Sequence, residues 1–252
     1  MIHFFRRIRR KLFTEGHFSK YLVYAIGEII LVVLGILIAL AINNANQNQK
    51  DNKLEQQYLM ALYDEFQVNI KKLDVLDTLL GDQLAASQEF IQHMHPEQVS
   101  LGEARFAELL ASGFRDTHSY LPSSGVLKDL INSGKLSLVR NPELRRTLAD
   151  WDAQINYIKE FEDEAKTASF HVVELLRTHG SFRDQMFSAF KALGTGPSSF
   201  VGSNTTLLNK QEFESSVVYF TGVTWRLKNV FYPQLKGKIK NVIAIMNSEI
   251  DE

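Results

Sequence analysis

From Tyr21 to Ile42 the chain is apolar except for one carboxylate, Glu28. About 22 residues at roughly 1.5 Å each give about 33 Å of helix, enough to cross a hydrocarbon core of about 30 Å. A signal peptide is the rival reading, since Ala39 and Ala41 are small enough to form a cleavage site. The apolar run, however, exceeds the roughly 7–15 residues of a signal core. The sequence therefore predicts a retained transmembrane helix.

Flanking charge gives this helix a direction. Arg6, Arg7, Arg9, Arg10 and Lys11 precede it, with Lys20 at its edge. After it, "NQNQKDNK" offers only Lys50 and Lys53, opposed by Asp51. Basic residues stay on the cytoplasmic side, so the N-terminus is expected in the cytoplasm and the rest in the periplasm of a bacterial inner membrane. Within "MIHFFRRIRRKLF", Ile2, Phe5, Ile8 and Leu12 share one helical face and the arginines take the others. Such a helix lies on an anionic leaflet, and these cations are read as topology and lipid contacts.

Glu28 needs an explanation, because a charged carboxylate against lipid costs a few kcal/mol. It is carried in neutral form, it sits at the membrane boundary, or it meets a partner helix. Spacing favours the partner. Tyr24, Glu28, Leu31, Gly35 and Ala39 share a face, and Gly35 with Ala39 makes a small-xxx-small step that lets two helices approach closely. Glu28, Gly35 and Ala39 are thus the expected association face.

These N-terminal residues, "FFRRIRRKL" followed by "KYLVYAIGEIILVVLGILIALAINN", resemble the start of an uncharacterised family of single-span membrane proteins widespread in Bacteroidetes, especially flavobacteria. "LKDLINSGKLSLVRNPELRRTL" (Leu127 to Leu148) resembles a second stretch of that family. The resemblance implies bacterial origin and topology, and no activity. Members usually carry Trp after the Asn-Asn pair. Ala45 stands here, so an interfacial aromatic anchor is missing.

Beyond the span, Leu54, Tyr58, Leu62, Glu65, Asn69, Leu73, Leu76 and Leu80 recur at steps of three and four, an amphipathic seam containing two polar positions. This helix is expected to end near Gln92, before the loop set by Pro96. A short helix follows from about Gly102, and a second is capped by Ser123 or Ser124 and stopped by Gly134. Asn141-Pro142-Glu143 opens a long helix with a capping side chain, a proline at the first position and an acid near the dipole. Its seam, Leu144, Leu148, Trp151, Ile155, Ile158, Glu162, Ala165, Ser169, Val172 and Leu176, predicts helix as far as Gly180. Ser181 caps a further helix, and two more are expected over 210–231 and 233–250. The predicted fold is all-α: a single N-terminal transmembrane helix continuing into a periplasmic antiparallel helical bundle. The expected segments are 1–20 (cytoplasmic), 21–43 (transmembrane), 44–95 (stalk helix) and 96–252 (bundle).

Chemistry is sparse. With no cysteine, disulfides, thiolate metal sites and cysteine nucleophiles are excluded. A net charge of -1 argues against nucleic acid as a partner. His93 and His95 lack a third metal ligand nearby in sequence, and "GTGPSS" follows a helix rather than the strand a phosphate loop requires. Lys135, Arg140 and Arg145 stand near a helix start and are the one candidate anion or ligand contact, although a solvated helix connector is the simpler account. Trp151 and Trp225 are expected in the core, and the acids of "KEFEDEAK" on a solvated face. Asn204-Thr205-Thr206 matches a glycosylation sequon by chance. No catalytic residue, cofactor or metal is expected. The chain is read as a non-enzymatic membrane protein presenting an interaction domain. Its expected partners are membrane lipids and a second copy or another envelope protein. The alternative is a periplasmic sensor or small-ligand-binding module that signals through a separate partner protein.

Overall fold

The computed structural model describes residues 18–97, 101–200 and 202–250. The cations Arg6, Arg7, Arg9, Arg10 and Lys11, and the amphipathic helix expected around them, lie outside the described residues. No strand occurs among the described residues. Helix α1 spans Phe18–Gln92, and the chain divides into two compact units after Gln56.

In the first unit the large apolar side chains of α1 between Leu22 and Ile42 are exposed. Val23 is 70% exposed and Leu31 72%, whereas side chains this apolar are normally buried. By length and composition this helix is apolar enough to cross a membrane.

The second unit begins at Gln57 with the continuation of α1. The other helices are α2 (Glu103–Leu110), α3 (Gly125–Asn132), α4 (Pro142–Ala149), α5 (Trp151–His179), α6 (Phe182–Ala189), α7 (Gln211–Arg226) and α8 (Tyr232–Glu249). Two apolar clusters share α1 and α5. In the first, Leu62, Leu73 and Leu80 of α1 meet Leu127 and Leu130 of α3, Trp151 of α5 and Leu235, Ile239 and Val242 of α8. Phe66 and Trp151 pack with ring centres 4.7 Å apart. In the second, Phe90 lies 5.0 Å from Phe106 and 5.8 Å from Phe213, while Phe114 lies 5.0 Å from Phe220. Buried aromatics of this size supply a large share of the driving force for packing.

Local chemistry explains three of the helix ends. Asn141 accepts hydrogen bonds from the N–H groups of Glu143 and Leu144, with Pro142 at the first turn of α4. Ser181 accepts from the N–H of Asp184 at the start of α6. Gly134 adopts φ 71°, a left-handed conformation that suits glycine, just after α3.

Three expectations need correction. The long helix from Asn141 is two helices, because Asp150 (φ -87°, ψ 1°) leaves helical geometry and its N–H turns back to the carbonyls of Arg146 and Leu148. The seam survives the break, since Leu148 and Trp151 are both fully buried three residues apart. Conversely, α7 and α8 are not separated at Pro233. A π-helical turn, Leu227–Phe231, joins them, and its flanking residues Arg226 and Tyr232 keep right-handed helical angles. Proline lacks the N–H that would serve the preceding turn, and the wider turn takes up that mismatch without ending the helix. Finally, Trp151 is 1% exposed as expected of the core, but Trp225 is 50% exposed. It faces outward on α7, with Val218 and Tyr219 also exposed on that helix.

Candidate functional site

Between α2 and α3 the chain makes a π-helical turn, Ala111–Arg115, and then runs without helix to Ser124. Buried backbone outside regular structure must find hydrogen-bond partners elsewhere. Here side chains from α1 and α5 supply them. Gln83 Nε2 donates to the carbonyls of Gly113 and Asp116, both at 2.9 Å. Asn69 grips Ser123 at both ends, accepting from its N–H at 2.7 Å and donating to its carbonyl at 2.8 Å. Lys72 donates to the Leu121 carbonyl at 3.0 Å and to the Ser123 hydroxyl at 2.9 Å.

The N-terminus of α3 is also capped from a distance. Ser124 makes no capping bond. Glu65 accepts instead from the N–H groups of Val126 (2.8 Å) and Leu127 (3.2 Å). A carboxylate at a helix N-terminus satisfies orphan donors and complements the dipole. From α5, Ser169 donates to the Phe114 carbonyl and Glu162 accepts from the Tyr120 N–H at 2.9 Å.

Glu162 is the electrostatic centre of this arrangement. It is 6% exposed, and the same Oε1 that takes the Tyr120 N–H also takes the Tyr232 hydroxyl at 2.6 Å. Burial raises its carboxyl above the ordinary value, and the donors from Tyr232 and Tyr120 oppose that shift. The Tyr232 hydroxyl is pushed up by burial and then by Glu162 itself, so it remains a donor. Glu162 thus corrects the expectation of a solvated acidic face. Glu164, two residues on, is on the outside and accepts from the Tyr219 hydroxyl at 2.6 Å.

The segment and α5 enclose a cleft of about 640 Å³. Thr117, Ser119 and Ser124 line one side, Lys159, Asp163 and Lys166 the other, and Glu162 contributes to the wall. This is a volume suited to a small organic ligand.

Lys135, Arg140 and Arg145, the candidate anion contacts, do not line this cleft. Lys135 donates to the Tyr58 hydroxyl at 3.1 Å, and that hydroxyl donates to Asp129 at 2.7 Å. The hydrogen bond to Tyr58 raises the Lys135 ammonium above its usual range. Arg145 turns back onto the Val139 carbonyl at 3.3 Å. Arg140 is exposed at the turn before α4. These cations serve separate local contacts rather than one pocket. Glu28, Gly35 and Ala39 are exposed on α1, and a Cβ added at Gly35 would meet nothing within 4 Å. His95 accepts from the Glu97 N–H at 3.2 Å, and no group of three potential metal ligands occurs among the described residues. Gly194 and Gly196 both take φ 64°, and the carbonyls of Thr195 and Gly196 receive the Arg183 guanidinium.

Sequence reasoning missed Glu65, Asn69 and Glu162 as a set. Their signal was present: each occupies an apolar seam at a position where leucine would pack.

Among the described residues, fold and site together define an all-helical protein with one helix apolar enough to cross a membrane and a second unit laced by buried polar side chains. The chain belongs to a family of unknown function (DUF6090), whose sequence profile matches residues 28–187. That stretch begins at Glu28 and takes in Glu65, Asn69, Glu162 and the whole 113–124 segment. No curated protein and no solved structure matches the chain.

Proposed function

We propose that the chain is a non-enzymatic, single-pass inner-membrane protein of a Bacteroidetes-type bacterium. Its N-terminus lies in the cytoplasm, and it presents an antiparallel helical bundle to the periplasm for protein interaction. The observation that carries this reading is the uncovered apolar stretch of α1, where Val23, Leu31 and Ile38 are each at least 60% exposed. At about 25 cal/mol per Å², so much apolar surface is costly in water and favourable in lipid. Flanking charge supplies the direction. The small-residue step at Gly35, where an added Cβ would meet nothing within 4 Å, supports self-association through Glu28, Gly35 and Ala39.

Topology is tested by fusing alkaline phosphatase to the C-terminus, where activity is expected. An inactive fusion alongside an active cytoplasmic reporter would reverse the orientation. Association is tested by crosslinking in native membranes. Glu28→Ala combined with Gly35→Leu is expected to abolish oligomers, and unchanged oligomers would remove the association face.

The cleft beside Glu162 favours a second reading, a small-ligand-binding module that signals through a separate partner. Its support is the cost of its wall. Glu65, Asn69, Gln83 and Glu162 are buried polar side chains that fix the stretch from Gly113 to Leu127. Such preorganisation lowers the ordering cost of binding.

A further inference from the structure

We propose that the cleft between the Thr117–Ser124 segment and α5 binds a small zwitterion, a dipeptide with free ammonium and carboxylate groups. This rests on the ligand-binding reading and specifies its ligand class. Lys159, Asp163 and Lys166 line the cleft at successive steps of four and three along α5, so they stand one helical turn apart on one face. Lys159 and Asp163 have the spacing of a helical ion pair, yet no ion pair joins them, and Lys166 has none either. Lys128 faces them from α3, and Asp152 lies two turns before Lys159.

This pattern discriminates among ligands. A simple anion drawn to Lys128, Lys159 and Lys166 would meet Asp152, Asp163 and Glu162. A simple cation would meet the lysines. A molecule with opposite charges a few Å apart matches neighbouring side chains about 5–6 Å apart on a helix. The hydroxyls of Thr117 and Ser124 on the facing wall can bond to amide or carboxylate groups, while Ser119 is hydrogen-bonded to Glu162. Glu162 is a positioning residue: its carboxylate holds the Tyr120 N–H and thereby sets that wall against α5.

The test is isothermal titration of the full-length chain in detergent micelles with four forms of each member of a dipeptide panel: free, N-acetylated, C-terminally amidated and doubly blocked. Free dipeptides are expected to bind, either singly blocked form at least tenfold more weakly, and the doubly blocked form not at all. Lys159→Ala and Asp163→Ala, both exposed and without side-chain hydrogen bonds, are each expected to weaken binding of the free form at least tenfold with an unchanged circular dichroism spectrum. A singly blocked form binding as tightly as the free one overturns the zwitterion and leaves the ligand-binding reading standing. Binding unaffected by either variant places the ligand elsewhere and overturns the proposal. Silence across the dipeptides overturns it too, and equal silence from polyols, nucleotides and fatty acids removes the ligand-binding reading with it.

Discussion

Removing the Glu162 side chain leaves two buried donors stranded. The Tyr120 N–H and the Tyr232 hydroxyl share its Oε1, at 2.9 and 2.6 Å. A buried donor without a partner costs about 1–3 kcal/mol, so Glu162→Ala is expected to lose about 2–6 kcal/mol. For a chain of this size that is a fall in Tm on the order of 10 °C. Glu162→Gln keeps an amide oxygen for both donors and is expected to lose less than about 1 kcal/mol near the acidic end of the range. The two variants also differ in pH response. Burial raises the folded-state carboxyl above its ordinary value of 4.5. As pH climbs through 4.5, the unfolded chain releases this proton while the folded chain keeps it. The unfolded state then binds fewer protons, and the contribution of Glu162 to stability falls with pH, by at most about 1.36 kcal/mol per unit, until the folded carboxyl also ionises. Glutamine has no such slope. Thermal unfolding followed by circular dichroism, from pH 4 upward, should therefore show wild type losing ground to Glu162→Gln above pH 4.5. A wild type that instead gains on the glutamine variant over that window would mean that the donors outweigh burial. A loss below about 1 kcal/mol for Glu162→Ala would mean that water replaces the carboxylate.

Other substitutions probe the same framework. Asn69→Ala releases both ends of Ser123 and is expected to cost about 2–3 kcal/mol and to expose the 117–124 segment to limited proteolysis, whereas a resistant segment would show that the clamp is redundant. Two glycine-to-alanine changes should act in opposite directions. A Cβ at Gly180 would stand 2.6 Å from Asn204 Oδ1 and 3.0 Å from the Leu176 carbonyl, so Gly180→Ala is expected to cost about 1–3 kcal/mol, while Gly222→Ala, inside α7 with nothing within 4 Å, should gain about 0.5–1 kcal/mol in chemical denaturation. Asn204 is 3% exposed with both ends of its amide engaged by Ser181, so expression in a glycosylating host should add no mass at this sequon.

Helix starts were readable because their signals are local. Asn141, Pro142 and Ser181 act within three residues of where they stand, and the structure uses Asn141 and Ser181 as capping side chains. The seam of α5 was readable for the same reason, since period alone picks out its buried positions. The cap of α3 was not, because its acceptor, Glu65, lies some sixty residues upstream and no spacing rule connects the two. Ser124, the local candidate, stands in the right place and makes no capping bond. The union of α7 and α8 was hidden by Pro233, whose usual effect is to end a helix. The cleft was hidden because it joins residues from two distant stretches, and the acids of "KEFEDEAK" divide between inside and outside by rotation about a helix that composition does not resolve. The rotation was nevertheless implicit in the seam, which places Glu162 in line with Ile158 and Ala165.

The polar side chains on these seams carry a warning for anyone redesigning the chain. A procedure that scores helix packing alone would put leucine at Glu65, Asn69, Glu162 and Ser169, and the result would be a tidier coiled coil. It would also unfasten the segment from Gly113 to Leu127 at every one of these points. The apparent imperfections of the heptad pattern are the places where two helices hold a strap of irregular chain, so improving the repeat and keeping the strap are incompatible goals.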